Sequence, residues 1–157
     1  MKPDNNDILK KGIIRIWIIW TAMFFSLFIY VIIANILEPA WKPVVSSDFP
    51  INTFRNVLYG ASIVMFLIGD YIKKYIIKAR SSDQLPRFNQ LAAQSNVPPA
   101  LLKYQSAVII SLAFSETIGV FGLIIFLLSK DIGSFYIFVG SSAAAMLYHI
   151  PRISEIQ

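Results

Sequence analysis

Glu116 is the residue whose type and place most need a chemical reason. It stands in ISLAFSETIGVFGLIIFLL (110–128), a run otherwise made of apolar and small residues. An ionised carboxylate at the centre of a bilayer-spanning helix costs about 2.5–3.5 kcal/mol on insertion scales. Three arrangements lower that cost: the group keeps its proton, pairs with a cation, or faces a water-filled cavity. A neutral carboxyl in such a place can take and release a proton, or it can join two helices through hydrogen bonds.

The neighbours of Glu116 are small and hydroxylated. Ser111, Ser115 and Gly119 recur every four residues, the spacing that lets two helices approach closely. Glu116 and Gly119 are three apart, so the acid borders that face. The segment GSSAAA (140–145) brings a second stripe with little bulk, led by Gly140, Ser141 and Ser142. Ser111, Ser115, Thr117, Ser141 and Ser142 are the expected hydrogen-bond partners of Glu116, and Gly119 and Gly140 the expected positions of close packing. No lysine or arginine lies at comparable depth, because Arg55 and Lys130 fall near the opposite ends of their segments. A neutral, proton-binding Glu116 is therefore expected, hydrogen-bonded to hydroxyls or to a partner chain.

Little else in the chain suggests a reaction. The chain has no cysteine, which excludes disulfides, iron–sulfur clusters and thiolate metal sites. Its one histidine, His149, rules out a site built from several histidines within one chain, and beside Arg152 it reads as an interfacial group. Asp70 precedes Lys73 and Lys74 and reads as half of an interfacial ion pair. No nucleophile–base set, phosphate loop or metal constellation is legible, so neither an enzyme nor a cofactor is expected.

The elements that must position Glu116 follow from hydropathy. Of 157 residues, 56% are hydrophobic and only 15% charged, against about 25% charged in a typical soluble domain. The excess falls in four blocks, expected as helices over about 12–37, 53–78, 99–129 and 134–149. Asn6 or Asp7 is the expected cap of the first, and Pro39 and Pro151 are stops. Only helices satisfy their own backbone in lipid, and the alternation of a barrel is absent. The first block is too long for the apolar core of a signal peptide and is read as a retained membrane helix. The fold class expected is an all-α, four-helix integral membrane bundle made of two hairpins, a single transmembrane domain. Residues 79–98 form a polar loop with a short helix at RFNQLAAQ, and KDIG (130–133) is a tight turn that makes the last two helices antiparallel neighbours.

Lysine and arginine set the expected orientation. On one side fall Lys2, Lys10, Lys11, Arg15, Lys73, Lys74, Lys78, Arg80, Arg87, Lys103 and Arg152; on the other, only Lys42, Arg55 and Lys130. Both termini and the 79–98 loop should face the cytoplasm, in a multi-pass protein of the cell inner membrane. The net charge of +5 then meets anionic lipid, and nucleic acid is not expected as a partner. A faint internal repeat pairs VLYGASIVMFL (57–67) with FVGSSAAAMLY (138–148), each carrying a small-residue cluster followed by methionine and leucine.

LLKYQSAVIISLAFSETIGVFGLIIFLL (101–128) resembles the second helix of the c subunit, or proteolipid, of F-type ATP synthases. The likeness rests on Ala113, Glu116 and the FGLIIF continuation at 121–126, and extends loosely over 53–128. It implies a hairpin with a cytoplasmic loop and a proton-binding Glu116. One helix precedes that hairpin here and another follows it. Two functions are therefore expected: a small accessory or assembly subunit, oligomeric or part of a larger membrane complex, and alternatively a c-like subunit that translocates protons or other ions.

Overall fold

The computed structural model describes residues 5–45, 49–78 and 98–152, with side chains from residue 10 onward. The short helix expected at RFNQLAAQ lies outside the described residues, as does nearly all of its loop. The described chain is all-helical. Its elements are α1 (Asn5–Leu37), α2 (Ile51–Lys78), α3 (Pro99–Ser129) and α4 (Ile132–Tyr148). α1 (from Lys10), α2 and α3 are long and apolar enough to cross a bilayer, which makes this a membrane protein by length and composition. α4 has 17 residues and reaches only about 26 Å at 1.5 Å per residue.

The helix starts depart from expectation for local reasons. α1 is described from Asn5, so Asn6 and Asp7, the expected caps, fall within the helix and their side chains lie outside the described ones. α2 begins at Ile51, directly after Pro50, whose carbonyl accepts from Phe54 N at 3.1 Å. α4 starts at Ile132 because Asp131 caps it: Oδ1 accepts from the backbone N–H of Ser134 at 3.0 Å. The link between α3 and α4 is thus only Lys130 and Asp131. Lys130 closes α3 in the left-handed region (φ 59°) and donates its N–H to Phe126 O at 2.7 Å.

α3 is the centre of the bundle. α1, α2 and α4 all pack on it, and α1 also touches α4. Leu112, Val108, Ile125 and Phe126 on α3 are fully buried, as are Phe135 and Met146 on α4. The helices alternate in direction. Gln105 near the start of α3 donates to Gly12 O near the start of α1 at 3.3 Å, so these two run parallel. Ser111 reaches Gly69 O at 3.1 Å while Arg55 meets Asp131 at 3.0 Å, so α2 runs against α3. Tyr104 receives a hydrogen bond from Arg152 N at 2.8 Å, so α4 returns to the end where α3 began. One end of the bundle therefore gathers residues 12, 70–78, 104 and 149–152. The other gathers 37–45, 50–55 and 128–134.

Lipid tails are as apolar as leucine, so close contact and hydrogen bonds must hold such helices together. Gly122 shows the contact. A Cβ built there would lie 2.7 Å from Phe138 Cβ and 3.0 Å from the Phe135 carbonyl oxygen, so only glycine lets α4 come this near. Outside this core, α1 leaves Ile14, Ile18, Phe25, Ile29, Ile32 and Ile36 exposed, an apolar face suited to lipid.

Candidate functional site

Glu116 projects from the middle of α3 toward α1, and it is half-buried. Its Oε1 accepts from Ser26 Oγ at 2.7 Å and from Tyr30 OH at 3.0 Å. Ser26 and Tyr30 are four residues apart, so they share one face of α1 and meet the same acid. Ser26 Oγ also lies 2.6 Å from the carbonyl oxygen of Met23, one turn back on its own helix. No lysine or arginine reaches Glu116: among the described residues the ion pairs are Arg55–Asp131, Lys74–Asp70 and Lys130–Glu38. The acid is clasped by two hydroxyls of α1.

The residues named from sequence as its partners are brought to other work. Ser111 Oγ lies 2.9 Å from Ala107 O and 3.1 Å from Gly69 O, joining α3 to α2. Ser115 donates to Ser111 O at 2.9 Å, and Thr117 to Ala113 O at 2.9 Å. Ser142 donates across to Ser115 O at 2.6 Å, joining α4 to α3. Each hydroxyl covers a backbone carbonyl, the common use of serine and threonine inside apolar helices. Gly119 is a true close-packing position: an added Cβ would come within 2.8 Å of Leu27 Cδ2 and 3.3 Å of Ser142 Oγ. Gly140 is not, because among the described residues nothing lies within 4 Å of its Cβ position. Ser141 points into a groove between α2 and α4.

The small faces of α3 and α4 do pack together, as their sequence stripes suggest. Glu116 sits on another side of α3, toward α1. Sequence reasoning missed Ser26 and Tyr30, although a depth count holds the signal. Glu116 is thirteen positions beyond Lys103, and Ser26 fifteen beyond Lys11. In two parallel helices that start at one surface, those residues fall at one level.

Polar groups also fasten both ends of the bundle. At the end bearing the α3–α4 link, Asp131 Oδ2 accepts from Ser134 Oγ at 2.6 Å and from Arg55 at 3.0 Å. Burial alone would push the Asp131 carboxyl up. The hydrogen bonds from Ser134 and Arg55, with the Arg55 charge, outweigh it and hold the carboxyl below its ordinary value. Trp41 Nε1 donates to Leu127 O at 2.9 Å, laying the chain after α1 across the end of α3. At the opposite end Trp20 Nε1 donates to Met146 O at 3.0 Å, and Lys74 pairs with Asp70 at 2.7 Å. His149, read from sequence as an interfacial group in solvent, is fully buried where α4 ends.

No family model matches the chain, and no curated protein or solved structure matches it. The class of protein defined by these observations is a small helical membrane protein with an acid hydrogen-bonded between two of its helices.

Proposed function

We propose that this chain is an accessory or assembly subunit of a larger membrane complex or homo-oligomer, in which Glu116 is an uncharged acid that seats α1 against α3. Its membrane is the cell inner membrane. Both termini and the 79–98 loop face the cytoplasm, on the side that carries most of the lysine and arginine.

The observation that carries this reading is the crowding of acceptors around Ser26. A serine hydroxyl has one hydrogen. Met23 O and an ionised Glu116 would both compete for it, at 2.6 and 2.7 Å. With Ser26 as donor only one of these contacts is made at a time; both are satisfied together if the Glu116 contact runs the other way, with Glu116 keeping its proton and donating to Ser26 Oγ while the serine hydrogen goes to Met23. Tyr30 then completes the shell of Oε1. An acid used in this way is a joint between helices. Gly60 and Gly140 support the assembly role. Each sits inside a helix where glycine costs about 1 kcal/mol relative to alanine. Among the described residues nothing lies within 4 Å of either Cβ position, so neither serves packing between the described helices. Close approach of a partner helix would give them a purpose.

A second reading has its own support. Among the described residues only Oε1 of Glu116 has a hydrogen-bond partner, which leaves Oε2 for a proton arriving from outside the bundle. Together with the resemblance of 101–128 to the proteolipid helix, this favours a c-like proton carrier as the alternative. Dicyclohexylcarbodiimide labelling, proton flux in vesicles and native mass of the extracted complex separate the two. An assembly subunit is recovered in a larger complex, and Glu116→Gln changes no flux. Loss of flux in Glu116→Gln with assembly intact establishes the carrier. A lone chain of 17.7 kDa after mild extraction sinks the subunit reading.

A further inference from the structure

α2 packs mainly on α3 and meets α4 only through side chains, with the Tyr59 ring stacked on Phe138 at 4.6 Å, and an open apolar groove of about 530 Å³ is left between α2 and α4. Aromatic rings border it: Tyr59 and Phe66 from α2, Phe138 and Tyr148 from α4. Ile118 of α3 also lines it, with the small residues Ser62, Ser141 and Ala144. The two segments of the faint repeat supply nearly all of this lining, one from each side. At Tyr148 the groove meets a second pocket, of about 570 Å³, lined by Lys73, Lys74, Lys78 and Arg152. Among the described residues Asp70 is the one carboxylate in that lining, and Lys74 holds it at 2.7 Å.

We infer that one anionic phospholipid binds here, its phosphate headgroup between Lys78 and Arg152 and an acyl chain along the groove between α2 and α4. Charge decides the occupant. An apolar trough alone would accept any helix or tail, but this one ends in a cluster of cations at its Tyr148 mouth. A molecule with an anionic head and an apolar chain matches that sequence of surfaces. Length agrees. From Tyr59 to Lys73 the groove and pocket span about 21 Å of helix, against about 15 Å for half the hydrocarbon core. The basic mouth also falls on the side expected to face the anionic cytoplasmic leaflet, where basic pockets between helices take lipid headgroups. The inference rests on the membrane reading of the helices, which recovery of the chain in carbonate-washed membranes tests separately.

The test is native mass spectrometry of the full chain, delipidated and then titrated in detergent with phosphatidylglycerol, phosphatidylcholine or inorganic phosphate. One phosphatidylglycerol per chain is expected at concentrations where phosphatidylcholine and inorganic phosphate give no adduct. Lys78→Gln and Arg152→Gln change exposed side chains at the mouth, and each should weaken binding about fivefold. Ala144→Trp should block the tail while leaving every cation in place, and abolish the adduct. Thermal unfolding of each variant confirms that it is folded. Equal binding of phosphatidylcholine, saturation by inorganic phosphate, an Ala144→Trp variant that binds normally, or a second copy of the chain in the groove would each overturn the assignment.

Discussion

Tyr30 and Glu116 stand 3.0 Å apart, hydroxyl to carboxyl oxygen, across the contact of α1 with α3. Ser26 reaches the same oxygen from one turn earlier. If these bonds hold α1 in place, Tyr30→Phe and Ser26→Ala should each lower stability by about 0.6 kcal/mol and by no more than about 1.7 kcal/mol, the average and the maximum for hydrogen bonds between membrane helices. Glu116→Gln retains a donor and an acceptor of similar shape and should lose less than Glu116→Leu, which leaves both hydroxyls to find other partners. Unfolding in mixed detergent micelles measures all four variants. The double variant Tyr30→Phe/Glu116→Leu should lose less than the sum of its singles, because both remove one bond. Strict additivity would mean that the pair is not coupled.

Helix positions were legible because hydropathy and proline punctuation are local properties of the chain. Of the small-residue stripes, Ser115, Gly119 and Ser142 lie where α3 meets α4, whereas Ser111 faces α2 and Gly140 faces open space. What the sequence did not disclose is rotation about each helix axis. Ser111, Ser115 and Thr117 each had a carbonyl within reach on their own helix, and taking it removed them from Glu116. Ser26 and Tyr30 sit among isoleucines and phenylalanines, where a lone serine and tyrosine look like ordinary membrane filling. Only the register of α1 on α3 gives them a role, and that register is fixed by packing such as Leu27 over Gly119. Gly60 and Gly140 look alike in sequence to Gly119 and Gly122, yet the space around them differs completely.

That difference is measurable. Gly122→Ala would drive a methyl group against Phe138 Cβ and the Phe135 carbonyl, and backbone cannot move aside as a side-chain tip can. Overpacking of this kind costs about 1–3 kcal/mol. Gly140→Ala meets open space, so in the isolated chain it should gain roughly 0.5–1 kcal/mol from helix propensity. The same Gly140→Ala change should weaken association if a partner helix uses that face. Thermal unfolding of the purified chain and native mass of the extracted complex give the two readouts, and a destabilising Gly140→Ala in the isolated chain would refute the packing described for α4.

Acid should loosen the end of the bundle where Asp131 caps α4. Its carboxyl is held below its ordinary value, so the folded state binds a proton there less readily than the unfolded state. Stability therefore rises with pH wherever the unfolded chain carries the extra proton. The contribution is complete above the ordinary aspartate value of about 3.9 and is lost as pH falls through the lower folded value. Part of the site is open to solvent, so the effect is screened and modest. Unfolding measured from pH 6 to pH 2.5 should show a steeper acid loss in the parent chain than in Asp131→Asn, which lacks the titrating group. Arg55→Gln should lie between them, because Ser134 still donates two hydrogen bonds to the carboxyl. Salt should reduce the gap between parent and Arg55→Gln while leaving the gap between Arg55→Gln and Asp131→Asn nearly unchanged, since only the first is charge with charge. Parallel acid profiles for all three proteins would show that Asp131 does not anchor this end.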